Sequence, residues 1–137
     1  MSAFFTDHLF FIPVLSWVFA VITKGIYLAY IKKFSLKNSF GSGGMPSVHS
    51  ALVTSLTTAI GIKYTVFNDL FLVCLVFSTI IIYDAINVRF EAGLHAKALN
   101  DITGKEMPFN ESIGHLPQEA FVGSCIGIIT AILFLGF

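Results

Sequence analysis

The sequence predicts an all-α membrane protein: a polytopic helical bundle of about four transmembrane helices plus a short interfacial helix, built as one membrane domain over residues 1–137. Composition is the first reason. Hydrophobic residues make up 55% of the chain and charged residues 12%, with a mean hydropathy of +0.83, whereas soluble domains carry about 25% charged residues. Too little polar surface remains to coat a water-exposed globule. The second reason is the arrangement of the apolar residues in four stretches that approach the roughly 20 residues a spanning helix needs. Helices are the expected form, because lipid offers the backbone no hydrogen-bond partners.

The first stretch runs from Leu9 to Ile31 and is interrupted by Lys24. The second runs from Pro46 to Phe67 and is rich in small and hydroxyl residues: Ser50, Thr54, Ser55, Thr57, Thr58 and Gly61. That composition suits a helix packed closely on its neighbours, so this one is expected at the centre. The third, Leu70 to Asn87, and the fourth, Leu116 to Phe137, are at the short end for a span. Gly123 and Gly127 form a G-x-x-x-G in the fourth. Packing within one subunit is the favoured reading of that motif, and the seam of a homodimer is the alternative. Cys74 and Cys125 lie inside apolar runs and read as small hydrophobes. Trp17, Tyr27, Tyr30 and Tyr64 read as interfacial or packing aromatics. The first eight residues lack a basic region, so no cleavable signal peptide is expected.

Lysine and arginine set the expected orientation. Lys32, Lys33 and Lys37 lie between the first two stretches, and Arg89, Lys97 and Lys105 between the last two. The turn between the second and third has only Lys63. The bias places both long loops in the cytoplasm and both termini outside, for a multi-pass protein of the cell inner membrane. Formal net charge is zero, and no basic patch interleaves with aromatics, so nucleic acid is not an expected partner.

The polar residues cluster. Ser47 and His49 open the second stretch, Asp84 and Arg89 close the third, Glu91 and His95 follow, and His115 and Glu119 open the fourth. By this topology all fall at one membrane face, and the long stem of Lys24 can reach the same face. Ionisable groups in membrane segments are candidates for function. In GGMPSVHSA, Pro46 suits the first turn of a helix, with Ser47 and His49 in that same turn. Free amides and the positive end of the helix dipole make an anion site there, with phosphate the expected anion. Gly41, Gly43 and Gly44 allow the preceding backbone to come close. A histidine beside a bound phosphate can protonate a leaving oxygen. In ESIGHLPQEAF, His115 and Glu119 stand four apart on one helical face, where a carboxylate can fix the imidazole tautomer and raise its basicity. A nucleophilic histidine needs that arrangement.

GGMPSVHSA, YDAINVRFEAG and ESIGHLPQEAFVG together resemble the divergent branch of the type 2 phosphatidic acid phosphatase superfamily, which is related to the vanadium-dependent haloperoxidases. The resemblance runs from about Phe19 to the end. It implies a lipid phosphatase that cleaves a phosphomonoester, of the phosphatidylglycerol phosphate or phosphatidic acid type, through a phosphohistidine. It further implies His115 as nucleophile, Glu119 as its orienting carboxylate and His49 as general acid. Lys24, Gly44, Ser47 and Arg89 would hold the phosphate, and Asp84 would support Arg89. Such an enzyme needs no metal or other cofactor, and its partner is the phospholipid substrate. Valine stands at position 48 where the superfamily has glycine, glutamate at 119 where it has aspartate, and Pro108–Phe109 where it has serine–arginine. Two other readings compete. One is a metal-dependent membrane hydrolase using Glu91 with His95, His115 with Glu119, and Asp84. The other is a protein that binds or moves a phosphorylated lipid without hydrolysing it.

Overall fold

A computed structural model describes residues 2–32, 43–104 and 108–136. Lys33, Lys37, Gly41 and Lys105, named above, lie outside the described residues. The regular secondary structure of the described residues is all helical: α1 (Ser2–Asp7), α2 (Phe11–Tyr30), α3 (Val48–Tyr64), α4 (Asp69–Ile86), α5 (Val88–Ile102) and α6 (Pro117–Leu135). Among the described residues three helices have the length and hydropathy to cross a membrane: α2, α6 and the nearly continuous α4–α5 rod.

The second stretch departs from a four-span expectation in an instructive way. Its helix has 17 residues, beginning at Val48 rather than Pro46 and ending before Phe67. At 1.5 Å per residue that is about 26 Å, short of a ~30 Å hydrocarbon core. The short helix is central, as its composition suggests. It packs on α2, α4 and α6, and its contact with α6 is the most extensive in the molecule. A helix sheathed by others does not need to match the lipid thickness itself.

Hydroxyls on α3 and on the helices around it tie the bundle together. Thr54 Oγ1 donates to Ser124 O at 3.1 Å and Ser16 Oγ to Ala51 O at 3.0 Å. Thr57 and Ser78 join side chain to side chain at 2.7 Å, and Ser78 also donates to Val53 O. Such interhelical bonds contribute about 0.6–2 kcal/mol each in a bilayer. The G-x-x-x-G face of α6 is filled by α3 of the same chain. A Cβ on Gly123 would stand 2.2 Å from Ser47 O, and one on Gly127 would stand 2.3 Å from Ala51 O. The motif therefore serves packing within the subunit.

At one end of the bundle Ile12, Ala59, Ala131 and Leu135 form a buried cluster, with Phe5 and Phe134 packed on it. Lys63 Nζ donates to Thr6 O, which ties the end of α3 to α1. The start of the chain and the end of α6 thus lie together, opposite the end where α3 and α6 begin.

At that opposite end α4 breaks at Asn87 (φ −117°, ψ −76°) and continues as α5, whose Gly93, Ala96 and Asn100 are buried. Asn100 clamps the returning chain. Its amide donates to Phe109 O (3.0 Å) and Glu111 Oε1 (2.8 Å), and its carbonyl accepts the Phe109 N–H (2.7 Å). At about 1 kcal/mol net per bond, Asn100→Ala is expected to cost roughly 2–3 kcal/mol. The increase in amide hydrogen exchange should be confined to residues 109–112. Exchange unchanged in that segment would refute the clamp.

Candidate active site

The site is assembled where α3 and α6 start side by side. Ser47 caps α3, accepting the Ser50 N–H at 3.3 Å and the Ser50 hydroxyl at 3.0 Å. Its own N–H donates to Glu119 O at 3.0 Å, which links the two helix starts directly. Pro46 therefore precedes the cap rather than opening the helix. Ser47 is wholly buried, and its hydroxyl is engaged in capping. The first amides of α3, at Val48 and His49, precede the first intrahelical hydrogen bond and form the positive end of the helix. His49, the second helical residue, is exposed at this end.

His115 sits just ahead of α6. Its N–H donates to Ala85 O at 3.0 Å, which pins it to the end of α4. Gly114 makes that approach possible, since a Cβ there would lie 2.3 Å from Phe90 Cα. The His115 side chain is only 2% exposed. Its Nδ1 lies 3.3 Å from Glu119 Oε2, while Nε2 is buried with no partner among the described residues. Pro117 occupies the first helical position of α6, where its missing N–H costs nothing. Glu119 Oε2 also accepts the Leu116 N–H at 3.0 Å, which supplies the carboxylate half of a capping box. Leucine has no oxygen to supply the other half. The carboxylate is thereby fixed in place to hold the ring. With Nδ1–H donating to Glu119, the Nε2 lone pair is the open one. Burial pushes the His115 imidazole below its ordinary range, against the opposing hydrogen bond and charge of Glu119.

Three basic groups share this end. Lys24 is 1% exposed, and its Cε is 3.8 Å from a Cβ built on Gly44. Its charge acts on both His115 and Glu119. His49 also acts on His115 and lies in the fields of Arg89, Lys24 and Asp84. Arg89 Nε donates to Asp84 Oδ2 at 2.5 Å. Residues five apart do not face each other on a regular helix; they meet because the helix breaks at Asn87.

Lys24, His49, Asp84, Arg89, His115 and Glu119 are thus electrostatic neighbours, with Gly44 and Ser47 in the segment entering α3. Glu91 and His95 are exposed on α5. Among the described residues no three His, Cys, Asp or Glu side chains come together in a group that could hold a metal ion.

A cleft of about 330 Å³ opens beside the site, between α5 and residues 111–116. Gly44 and Glu119 form its inner end, and neither His49 nor His115 is on its wall. Sequence reasoning missed the parts that build it: Asn100, and the glycines Gly93 and Gly114. Asn100, a polar residue in the apolar-facing register of α5, is a weak signal for a buried clamp; its partners come from a later segment.

Comparison with known proteins gives two matches. The sequence model of the family described as "Divergent PAP2 family" matches residues 5–130. A Bacillus subtilis (strain 168) protein, "Uncharacterized membrane protein YuiD", is 30% identical, and the alignment covers 88% of this chain and 89% of that one. No solved structure matches.

Proposed function

Because the chain belongs to the divergent PAP2 family, we propose that it hydrolyses a lipid phosphomonoester, of the phosphatidylglycerol phosphate or phosphatidic acid type, through a phosphohistidine. The observation that carries this reading is His115: buried, held at Nδ1 by Glu119, and without a hydrogen-bond partner at Nε2 among the described residues.

In the first step Nε2 donates its lone pair to phosphorus, the bond from phosphorus to the alcohol oxygen breaks, and His49 gives its proton to the departing oxygen. In the second step His49 takes a proton from water. The hydroxide attacks phosphorus, the P–N bond breaks, and inorganic phosphate leaves with His115 restored. Lys24, Arg89 and the first amides of α3 offset the charge on the transferring phosphoryl group. Glu119 stabilises the positive ring that forms as His115 attacks. A lipid reaches such a site laterally from its leaflet. The lysine and arginine distribution supports the cytoplasmic leaflet of the inner membrane for this entry, with both termini outside.

The test is phosphate release by the purified protein in detergent, with phosphatidylglycerol phosphate and phosphatidic acid as substrates. Release from at least one is expected, and release from neither refutes the reading. The pH profile adds a second check. The nucleophile works as the neutral ring, and burial lowers its pKa, so the acid limb of kcat/KM should fall below the ordinary imidazole value of about 6.5. Glu119 raises that pKa. Glu119→Gln should therefore move the limb to still lower pH while reducing kcat by about 10⁴-fold, the scale seen when the carboxylate that orients a catalytic histidine becomes an amide. A limb that moves upward would contradict the assigned pair.

A further inference from the structure

The cleft beside the site has a lining of its own. Phe90, Gly93, Leu94 and Lys97 stand at i, i+3, i+4 and i+7 on one face of α5, and Glu111 and Ser112 face them from the returning chain. The second wall is fixed. Asn100 holds Glu111 by its Oε1, and Gly93 lets the Glu111 backbone come so close that a Cβ there would be 2.7 Å from its carbonyl oxygen. Among the described residues Lys97 makes no ion pair within 4 Å. A cation, a held carboxylate and a hydroxyl thus line a recess whose inner end is Gly44 and Glu119. Its volume of about 330 Å³ is at the small end of ligand pockets, about 300–1,000 Å³, which suits a head group.

We propose that this cleft is a head-group subsite for a lipid phosphomonoester whose alcohol is a glycerol carrying a second, diester phosphate. The inference rests on the hydrolase reading for which phosphate is transferred. With the terminal phosphate at His115, the adjoining glycerol enters past Gly44 and Glu119. Its free hydroxyl bonds to Glu111 and Ser112, and the diester anion meets Lys97. Phosphatidic acid has no second anion and leaves Lys97 unmatched. An isoprenyl diphosphate has a second phosphate but no hydroxyl between the two, so it leaves Glu111 and Ser112 unmatched.

The experiment measures binding in a full-length variant that cannot turn over, so its outcome is separate from that of the phosphate-release assay. His115→Ala protein, or His115→Asn should the alanine variant not fold, is titrated in detergent with short-chain phosphatidylglycerol phosphate, phosphatidic acid and isoprenyl diphosphate. Phosphatidylglycerol phosphate should bind at least tenfold more tightly than either of the others. Adding Lys97→Gln should remove most of its advantage over phosphatidic acid, and Lys97→Arg should retain it. Equal binding of phosphatidylglycerol phosphate and phosphatidic acid, including none of either, overturns the subsite, as does a preference that survives Lys97→Gln. Isoprenyl diphosphate binding as tightly as phosphatidylglycerol phosphate overturns the glycerol assignment. Failure of the wild type to release phosphate strikes the hydrolase reading alone and leaves this comparison intact.

Discussion

His115→Ala should lower phosphate release by about 10⁴-fold or more, the scale seen when a catalytic nucleophile is removed. The expectation follows from the surroundings of the ring. Among the described residues Nε2 is the one buried side-chain nitrogen or oxygen without a partner. An unpaired buried acceptor is costly, so a ring kept in this state suggests use rather than structure. Quenching the wild type in alkaline detergent with phosphate-labelled lipid should trap a phosphoprotein whose label is acid-labile and alkali-stable, and the variant should trap none. The structural cost of the substitution is readable separately, because the His115 N–H to Ala85 O bond does not involve the side chain. The variant should therefore remain folded by circular dichroism and elute as the wild type does. A folded His115→Ala protein that releases phosphate at the wild-type rate would end the proposed chemistry.

The second large effect is structural. Gly127→Val should destabilise the bundle by roughly 3 kcal/mol or more, at the upper end for forcing atoms into a packed interior. The first added carbon alone would stand 2.2 Å from Thr54 Oγ1, 2.3 Å from Ala51 O and 2.9 Å from Ser55 N. Two of those three atoms are backbone and cannot rotate away. Helices α3 and α6 would have to part, breaking the Thr54 to Ser124 bond and moving Ser47 away from Glu119 O. Stability in detergent, followed by thermal unfolding, should fall, and phosphate release should fall with it, because His49 is on one of these helices and Glu119 on the other. Thermal unfolding unchanged from wild type would show that the two helices tolerate separation and that their close approach is dispensable.

Much of this site was legible because charge is scarce in so apolar a chain. Lys24, Asp84, Arg89, His115 and Glu119 are conspicuous against leucine, isoleucine and phenylalanine, and burying any of them needs a physical reason. Spacing added the i, i+4 relation of His115 and Glu119, which put them on one face, whereas the i, i+5 pair Asp84 and Arg89 can meet only where the helix breaks. The structure has both features. The hydroxyl and glycine content of the second stretch correctly marked the central helix.

What sequence could not give depends on chain return. Asn100 meets Phe109 and Glu111, Gly93 meets Glu111, and Gly114 meets Phe90. No local pattern encodes such meetings, since each is set by how a later segment folds back. The start of α3 was misjudged for a related reason. Pro46 fits a first helical turn by propensity, yet Ser47 is drawn to the capping position because its N–H reaches Glu119 O on a distant helix.

The pairing of Phe5 with Phe134, and the tie from Lys63 to Thr6, have a practical consequence for anyone labelling this protein. A tag or fluorophore added near either end of the chain would sit at the end of the bundle opposite His49 and His115. Its accessibility in intact cells would reveal which compartment that opposite end faces.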